Sequence, residues 1–364
     1  MVLFLLIWSL FCLFSFSRQD LNLTLYNFAF FNPIRTWLQA LPNLQVTLIF
    51  LTLSLLLIIL YLKNLYSTPG WKVLALLILP AILAYPLFSH DIFNYLFNAK
   101  MVLIYHANPH IQTAINFAFD PVVRFMHNVH TPAPYAYGWT IFSLIPGLAW
   151  LTQNFTLSFW AMKLFIAVFW LGQLYILKKI IIKLYPAQSW RWYLFALNPL
   201  VLTETLIVGH NDTVMMFFAL LSYWFFLQSN KIASILFLII SASIKYATLI
   251  FFPLFSLQSL KSLQGETLKK IDLPSLSALL LLAVIFIRPD QLHSWYLIWG
   301  FSFAVLSKSR LLIKVFVALT FGALFRYAPY LYYGNWDSPV YLIRNLIWVI
   351  SLVFIPLITF KDRP

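Results

Sequence analysis

A first cluster of polar residues interrupts an otherwise apolar chain at His90 and Asp91, and Asn94 and Tyr95 follow one helical turn later. A carboxylate in the first turn of a helix is kept ionised by the partial positive charge of the helix start. At a water boundary it could take the proton of a hydroxyl group while that oxygen forms a new bond. We therefore predict that Asp91 is a catalytic base. The alternative is that Asp91 only caps the helix that follows.

A second polar cluster, Gly209 to Asp212, joins two apolar segments and follows Glu204. A carboxylate in a membrane-spanning segment costs roughly 2.5 to 3.5 kcal/mol unless it is partnered, so we expect Glu204 to face the interior, with His210 or Asn211 as its partner. The alternative for Asp212 is a turn residue that caps the next helix. The candidate substrate-binding residues are His90, Asn94, Tyr95, Tyr135, Glu204, His210, Asn211 and Asp212.

Three basic residues could bind a phosphate group. Lys245 ends an apolar run, and Arg288 and His293 lie in the polar segment RPDQLH at the end of the predicted span 273–288. Fixed cations stabilise a leaving phosphate because it gathers negative charge in the transition state. We predict that these three residues bind the phosphate of a lipid-linked donor. The alternative for Lys245 is that its long side chain reaches the membrane interface without binding a ligand.

The sequence contains no motif that would bind a metal ion, a nucleotide or a dinucleotide. Cys12 is the single cysteine, and the remaining histidines are not spaced with Cys or Glu as metal ligands. The sequence has neither a phosphate-binding P-loop nor the glycine fingerprint of a dinucleotide-binding fold. We therefore expect no metal and no cofactor. If a sugar is transferred, its donor must come through the membrane, and a polyprenyl-phosphate sugar is the natural candidate.

The composition is that of a polytopic membrane protein. Of 364 residues, 62% are hydrophobic and 9% are charged, and the mean hydropathy is +0.85. The formal net charge is +14, but the 24 Lys and Arg residues are spread among the ends of the apolar segments. This distribution favours orienting charges over a nucleic-acid surface, so we expect membrane lipids and no nucleic acid as partners.

The apolar runs predict an all-α protein with about twelve transmembrane helices in one membrane domain, residues 1–364. The predicted spans are 2–17, 44–62, 72–89, 157–178, 191–208, 212–228, 231–245, 246–258, 273–288, 295–307, 310–326 and 339–357. If the N-terminus is cytoplasmic, the basic residues concentrate on the cytoplasmic side of the membrane, and all seven histidines lie on the outer side. The large outer loop 89–157 would carry two surface-lying helices, the second at 135–151.

An ordered set of short motifs resembles the GT-C superfamily of membrane glycosyltransferases, and is most similar to bacterial polyprenyl-phosphate-mannose-dependent mannosyltransferases. The motifs are Asp91-Ile92-Phe93-Asn94-Tyr95 with Asn108-Pro109, Pro134-Tyr135-Ala136-Tyr137-Gly138, Asn198-Pro199-Leu200 through Asp212, Ile244-Lys245 to Pro253, and His293-Ser294-Trp295-Tyr296. The resemblance implies a GT-C-like fold of many helices. It also implies that Asp91 matches the catalytic aspartate of that superfamily.

These observations lead us to expect a glycosyltransferase in a bacterial cell membrane. It would move a sugar, mannose by the resemblance, from a polyprenyl-phosphate donor to a hydroxyl of a glycan or glycolipid acceptor on the extracytoplasmic face, with inversion. The alternatives are a transporter or flippase of a lipid-linked sugar and a structural subunit of a glycan-assembly complex. Transporters often show repeated halves, and the sequence has none.

Overall fold

The computed structural model describes residues 1–20, 22–23, 31–66, 70–254, 272–287 and 292–360. Regular structure within these ranges is helical, without strands. In chain order the α helices are α1 (Val2–Phe14), α2 (Asn32–Ala40), α3 (Asn43–Asn64), α4 (Trp71–Leu83), α5 (Asp91–Leu103), α6 (Tyr137–Gly147), α7 (Phe155–Leu184), α8 (Trp192–Ala196), α9 (Pro199–Leu202), α10 (Asp212–Leu227), α11 (Lys231–Ile244), α12 (Leu273–Phe286), α13 (Leu297–Ala304), α14 (Arg310–Phe325), α15 (Ala328–Tyr333) and α16 (Val340–Ile350).

Four stretches of the described chain are helical, long and apolar enough to cross a membrane: Asn43–Asn64, Phe155–Leu184, Arg310–Tyr333 and Val340–Leu357. The pair Pro199–Val208 and Asp212–Leu227 would be a fifth if it forms one bent span. The chain is therefore an all-helical membrane protein. A total of about twelve spans stays a prediction, because several apolar helices, among them α4 and α11, are shorter than a full bilayer crossing.

The segment predicted as one helix over 191–208 is broken in two. Helix α8 ends at Ala196, and the Asn198 side chain caps α9 by accepting hydrogen bonds from the Leu200 and Val201 amides at 3.0 and 3.3 Å. The break occurs because Pro199 has no amide hydrogen and disfavours helical geometry in the residue before it. A π-helical turn, Thr203–Val208, then completes the segment.

The chain bends by 119° between this π-helical turn and α10. Gly209 makes the bend with a φ of +82°, a left-handed conformation that glycine adopts without strain. Glu204 and the residues from His210 to Asp212 thus meet at one buried corner. The polar cluster that the sequence places around this corner is therefore compact in space.

Helix α5 is buried on both of its faces, although its amphipathic pattern led us to expect a helix lying flat on the membrane. Asn94 and Asn98 on its polar face are only 1% and 6% exposed. The polar face packs against the corner formed by residues 209–212. The Leu96 carbonyl of α5 accepts a hydrogen bond from Trp150 Nε1 at 2.9 Å. Protein therefore surrounds the helix, and surface-lying helices stay a prediction.

Lys163 anchors the end of α4 from within the long helix α7. Its buried ammonium group donates hydrogen bonds to the Ala81 and Ala84 carbonyls, the second at 2.8 Å. Ala81 lies in the last turn of α4, where its carbonyl also accepts a hydrogen bond from the Ala84 amide at 3.1 Å, and Ala84 is the first residue after the helix. Lys163 therefore fixes the segment that leads from α4 into the polar residues before α5.

Candidate active site

A polar cavity of about 680 Å³ opens at the start of α5. Its volume lies within the usual range of small-molecule sites. Five of the residues predicted from the sequence line it, namely His90, Asp91, Tyr135, Lys245 and His293. The rest of the wall comes from Phe88 and Ser89, residues 127–134, residues 292–296, the end of α14, Trp336 and helix α16. The cavity therefore brings together residues that are far apart in the sequence.

Asp91 presents its carboxylate to this cavity with 21% of the side chain exposed. Its backbone amide donates to the Ser89 hydroxyl at 3.2 Å, and the Asn94 amide group donates to Oδ1 at 3.5 Å. Burial alone would raise the pKa of Asp91, but His210, Lys245 and His293 lower it, and the net pKa is below the usual value. Asp91 is therefore an ionised, partly accessible carboxylate.

His210 lies directly behind Asp91. Its Nδ1 is 3.4 Å from Asp91 Oδ2, and its Nε2 is 3.3 Å from Glu204 Oε2. The imidazole ring stacks on Trp295 with a centroid distance of 4.1 Å. Glu204 in turn accepts a hydrogen bond from the Tyr327 hydroxyl at 2.6 Å. The expected partner of Glu204 is therefore present, and Tyr327 is a second one that the sequence did not indicate.

Lys245 and Asp212 form a second set of charges beside the cavity. Lys245 Nζ is 2.7 Å from Asp212 Oδ2, and Trp299 Nε1 donates to Asp212 Oδ1 at 2.6 Å. The side chain of Asp212 is 1% exposed, whereas that of Lys245 is 16% exposed. Lys245 therefore reaches the cavity with its charge already matched by a buried carboxylate.

The Tyr135 wall of the cavity is joined to the Lys245 wall through the backbone. The Ala136 amide donates to the Ile244 carbonyl at 3.4 Å. A Cβ atom at Gly138 would lie only 2.1 Å from the Ser243 hydroxyl, so no larger residue fits between these segments. The start of α6 and the end of α11 are thus in direct contact.

Six of the predicted substrate-binding residues do not line the cavity. Tyr95 and Asn211 bind each other, with a hydroxyl-to-Oδ1 distance of 3.1 Å, and both are fully buried. The six are Asn94, Tyr95, Glu204, His210, Asn211 and Asp212. The structure places them behind the wall, where they hold Asp91 and Lys245, and direct substrate contact by them stays a prediction.

Two of the three imidazoles in the wall, those of His90 and His293, are neutral near pH 7. Burial lowers the pKa of His90 to about 4, as does the neighbouring His127 ring at 4.4 Å. Burial likewise lowers the pKa of His293 to about 4. A neutral imidazole offers a phosphate at most one hydrogen-bond donor. Arg288, the third predicted phosphate ligand, lies outside the described residues.

Sequence reasoning missed two arginines in the wall, Arg326 at the end of α14 and Arg344 in α16. Arg326 is 3% exposed, and its Nη2 donates to the Leu292 carbonyl at 2.7 Å and to Asn345 Oδ1 at 3.1 Å. Arginine inside an apolar segment is costly and is a signal of function in itself. Neither residue belongs to a motif that the sequence pattern linked to binding.

The chain matches the model of a known family. The sequence model described as alpha-(1->6)-mannopyranosyltransferase, N-terminal domain, matches residues 22–261, about two thirds of the chain. The matched region includes Asp91, the corner at 209–212 and Lys245. Neither the curated proteins nor the solved structures give a significant match.

Proposed function

The chain belongs to this family of mannosyltransferases, and on that premise we propose that it transfers mannose from a polyprenyl-phosphate donor to a hydroxyl group of a glycan or glycolipid acceptor. Transfer takes place on the extracytoplasmic face of the membrane and inverts the anomeric configuration. The donor is a lipid because the sequence lacks a nucleotide-binding motif and the cavity is built by helices of a membrane protein.

The observation that carries this proposal is the position of Asp91. It is the only carboxylate among the described residues that line the cavity. A base must lie within hydrogen-bond reach of the hydroxyl it deprotonates and must be ionised at the working pH. The exposure of Asp91 to the cavity supports access by an acceptor hydroxyl, and its lowered pKa supports an ionised carboxylate.

In the proposed reaction the acceptor hydroxyl donates a hydrogen bond to the Asp91 carboxylate. Its oxygen attacks the anomeric carbon from the face opposite the phosphate, and its proton passes to Asp91. The bond between the anomeric carbon and the phosphate oxygen breaks, and its electron pair leaves with the phosphate. Beside the leaving phosphate, Lys245 contributes a positive charge and His293 contributes a hydrogen-bond donor.

Membranes that contain wild-type protein or Asp91→Asn at matched levels test this function with radiolabelled mannose on synthetic polyprenyl phosphate. Loss of the base should lower incorporation into endogenous acceptors by roughly 10² to 10⁴-fold. Asp337→Asn removes an exposed carboxylate outside the cavity and should keep wild-type incorporation. Equal incorporation by wild type and Asp91→Asn would overturn the role of Asp91. Movement of labelled lipid across the membrane without a new glycosidic bond would identify a flippase instead.

A further inference from the structure

The cavity has a wall of arginines that the proposed reaction has not used. We propose that Arg326 and Arg344 form the main phosphate-binding subsite of this cavity. The inference rests on the proposed function. It states that the phosphate, which is the leaving group of that reaction, is bound by residues from α14 and α16. The ligand class is a phosphate ester.

Arg326 has hydrogen-bond donors to spare. Its Nε and Nη1 atoms are buried and have no hydrogen-bond partner among the described residues. No described carboxylate lies within salt-bridge distance of its guanidinium group. A buried donor without a partner lowers stability, and more so when the group is charged. A bound phosphate oxygen would remove this cost, whereas Lys245 already has a carboxylate at 2.7 Å.

Arg344 brings a second guanidinium group to the same wall. It packs beside Trp336 and Tyr341, with distances of 5.6 and 4.8 Å from its central carbon to the ring centroids. The residue after it, Asn345, accepts the 3.1 Å hydrogen bond from Arg326. Helices α14 and α16 are thus joined at the point where both arginines reach the cavity. Planar guanidinium groups suit phosphate because each can bind two oxygens at once.

The charge balance of the cavity also favours an anionic ligand. Its described lining holds three permanent cations, Lys245, Arg326 and Arg344, and one carboxylate, Asp91. The charge of Lys245 is matched by Asp212 behind the wall. The wall histidines with a pKa of about 4 add no positive charge at neutral pH. Arg326, which has no described carboxylate within salt-bridge distance, would be neutralised by a phosphate ester.

An apolar groove on the same helices favours a phosphate that is carried by a lipid. The groove has a volume of about 420 Å³ and lies between α3, α14, α15 and α16. Phe325 in the groove precedes Arg326 in the cavity, and Ile343 in the groove precedes Arg344. Its walls come from three candidate membrane spans, so it faces the hydrocarbon region. A lipid chain in the groove would place its phosphate beside the arginines.

The first arm of the test measures binding without any sugar. Purified full-length protein in detergent is titrated with polyprenyl phosphate, with dioleoyl phosphatidic acid and with inorganic phosphate. Arg344→Gln should weaken binding of polyprenyl phosphate by about 10 to 100-fold, which corresponds to the loss of charged hydrogen bonds. Arg124→Gln, an exposed arginine outside the cavity, should leave binding unchanged. Equal binding by the two variants would overturn the subsite.

The second arm fills the groove. Ile347→Trp places a large ring in the groove, and Leu346→Trp places one on the neighbouring lipid-facing surface, where Leu346 is 50% exposed. Only Ile347→Trp should weaken the binding of polyprenyl phosphate and phosphatidic acid. Neither variant should change the binding of inorganic phosphate. Equal effects of the two variants would overturn the lipid groove, and inorganic phosphate that binds as tightly as polyprenyl phosphate would overturn a lipid source.

Wild-type protein that binds polyprenyl phosphate as described but transfers no mannose would sink the proposed function alone. Transfer with unaltered binding in Arg344→Gln would sink this inference alone.

Discussion

His210 supports Asp91 from behind the cavity, with 3.4 Å between Nδ1 of the imidazole and Oδ2 of the carboxylate. The ring is held on its other side by Glu204 and on its face by Trp295. Asp91 therefore has a fixed orientation, because the group that contacts it is itself fixed by two neighbours. This arrangement separates the residue that meets the acceptor from the residues that position it.

We predict that His210→Gln moves the acidic limb of the pH–rate profile to higher pH. The imidazole lowers the pKa of Asp91 against the effect of burial, so its removal lets the pKa rise and reduces the ionised fraction at a given acidic pH. A charged hydrogen bond is worth about 1.5 to 3 kcal/mol, so the limb should move by about one to two pH units. His130→Gln, an exposed histidine outside the cavity, is the control. A slower variant with an unmoved limb would contradict the positioning role.

Asp212→Asn should lower the free energy of unfolding by about 3 to 5 kcal/mol, because it leaves the ammonium group of Lys245 without its buried counter-charge. Equilibrium unfolding in mixed detergent micelles measures the change. The double variant Asp212→Asn with Lys245→Met should recover part of the loss. The exposed pair of Asp20 and Arg124, at 3.7 Å, should change stability by less than about 1 kcal/mol when Asp20→Asn breaks it. Similar losses at both pairs would show that burial of the first is unimportant.

The protein should lose stability as the pH falls from about 6.5 to about 4, because of His90 and His293. Both are held neutral in the folded protein, with pKa values of about 4, whereas in the unfolded chain they take up protons near pH 6.5. Between about pH 6.5 and about pH 4 protons therefore bind the unfolded state preferentially, which lowers the free energy of unfolding. The two histidines cause no such loss above about pH 6.5. Melting temperatures measured across the window should fall less steeply in the double variant His90→Gln with His293→Gln. An unchanged slope would argue against neutral buried imidazoles.

Gly209→Ala should cost about 1 to 2 kcal/mol of stability, because alanine is strained in the left-handed conformation that the corner requires. The added Cβ would also lie 3.1 Å from Ile92 Cδ1. Gly70→Ala is a matched control, since Gly70 has an ordinary φ of −66° and no atom within 4 Å of an added Cβ. Unfolding measurements on both variants should therefore differ. Equal stability would mean that the corner tolerates the strain.

The sequence was sufficient for the membrane class and the helical fold, and it singled out the residues around Asp91 and Glu204, whose roles stay a prediction. Those residues lie in short polar clusters inside apolar runs, and their cost in a membrane makes them visible without an alignment. Apolar length alone could not locate the break before Pro199, although the residue pair Asn198-Pro199 carried that signal. An amphipathic pattern likewise shows that the two faces of α5 differ. It does not show whether the polar face meets water or other polar side chains.

The arginine wall could not be predicted from the sequence because it depends on tertiary packing. Arg326 and Arg344 lie far along the chain from Asp91, outside every motif that we recognised, and only the contact between α14 and α16 brings them to the cavity. Tyr327, which binds Glu204, was missed for the same reason. Spacing within one helix predicts a shared face, but no spacing rule predicts which helices will meet.

The tight contact between Gly138 and Ser243 has a consequence for how substrates come and go. It holds the segment that carries Tyr135 against the segment that carries Lys245, so these two sides of the cavity cannot separate without losing that contact. A gate on that side would have to break a backbone contact that leaves no room for a single methyl group. Entry of a long lipid and a sugar acceptor therefore cannot rely on parting the Tyr135 segment from the Lys245 segment.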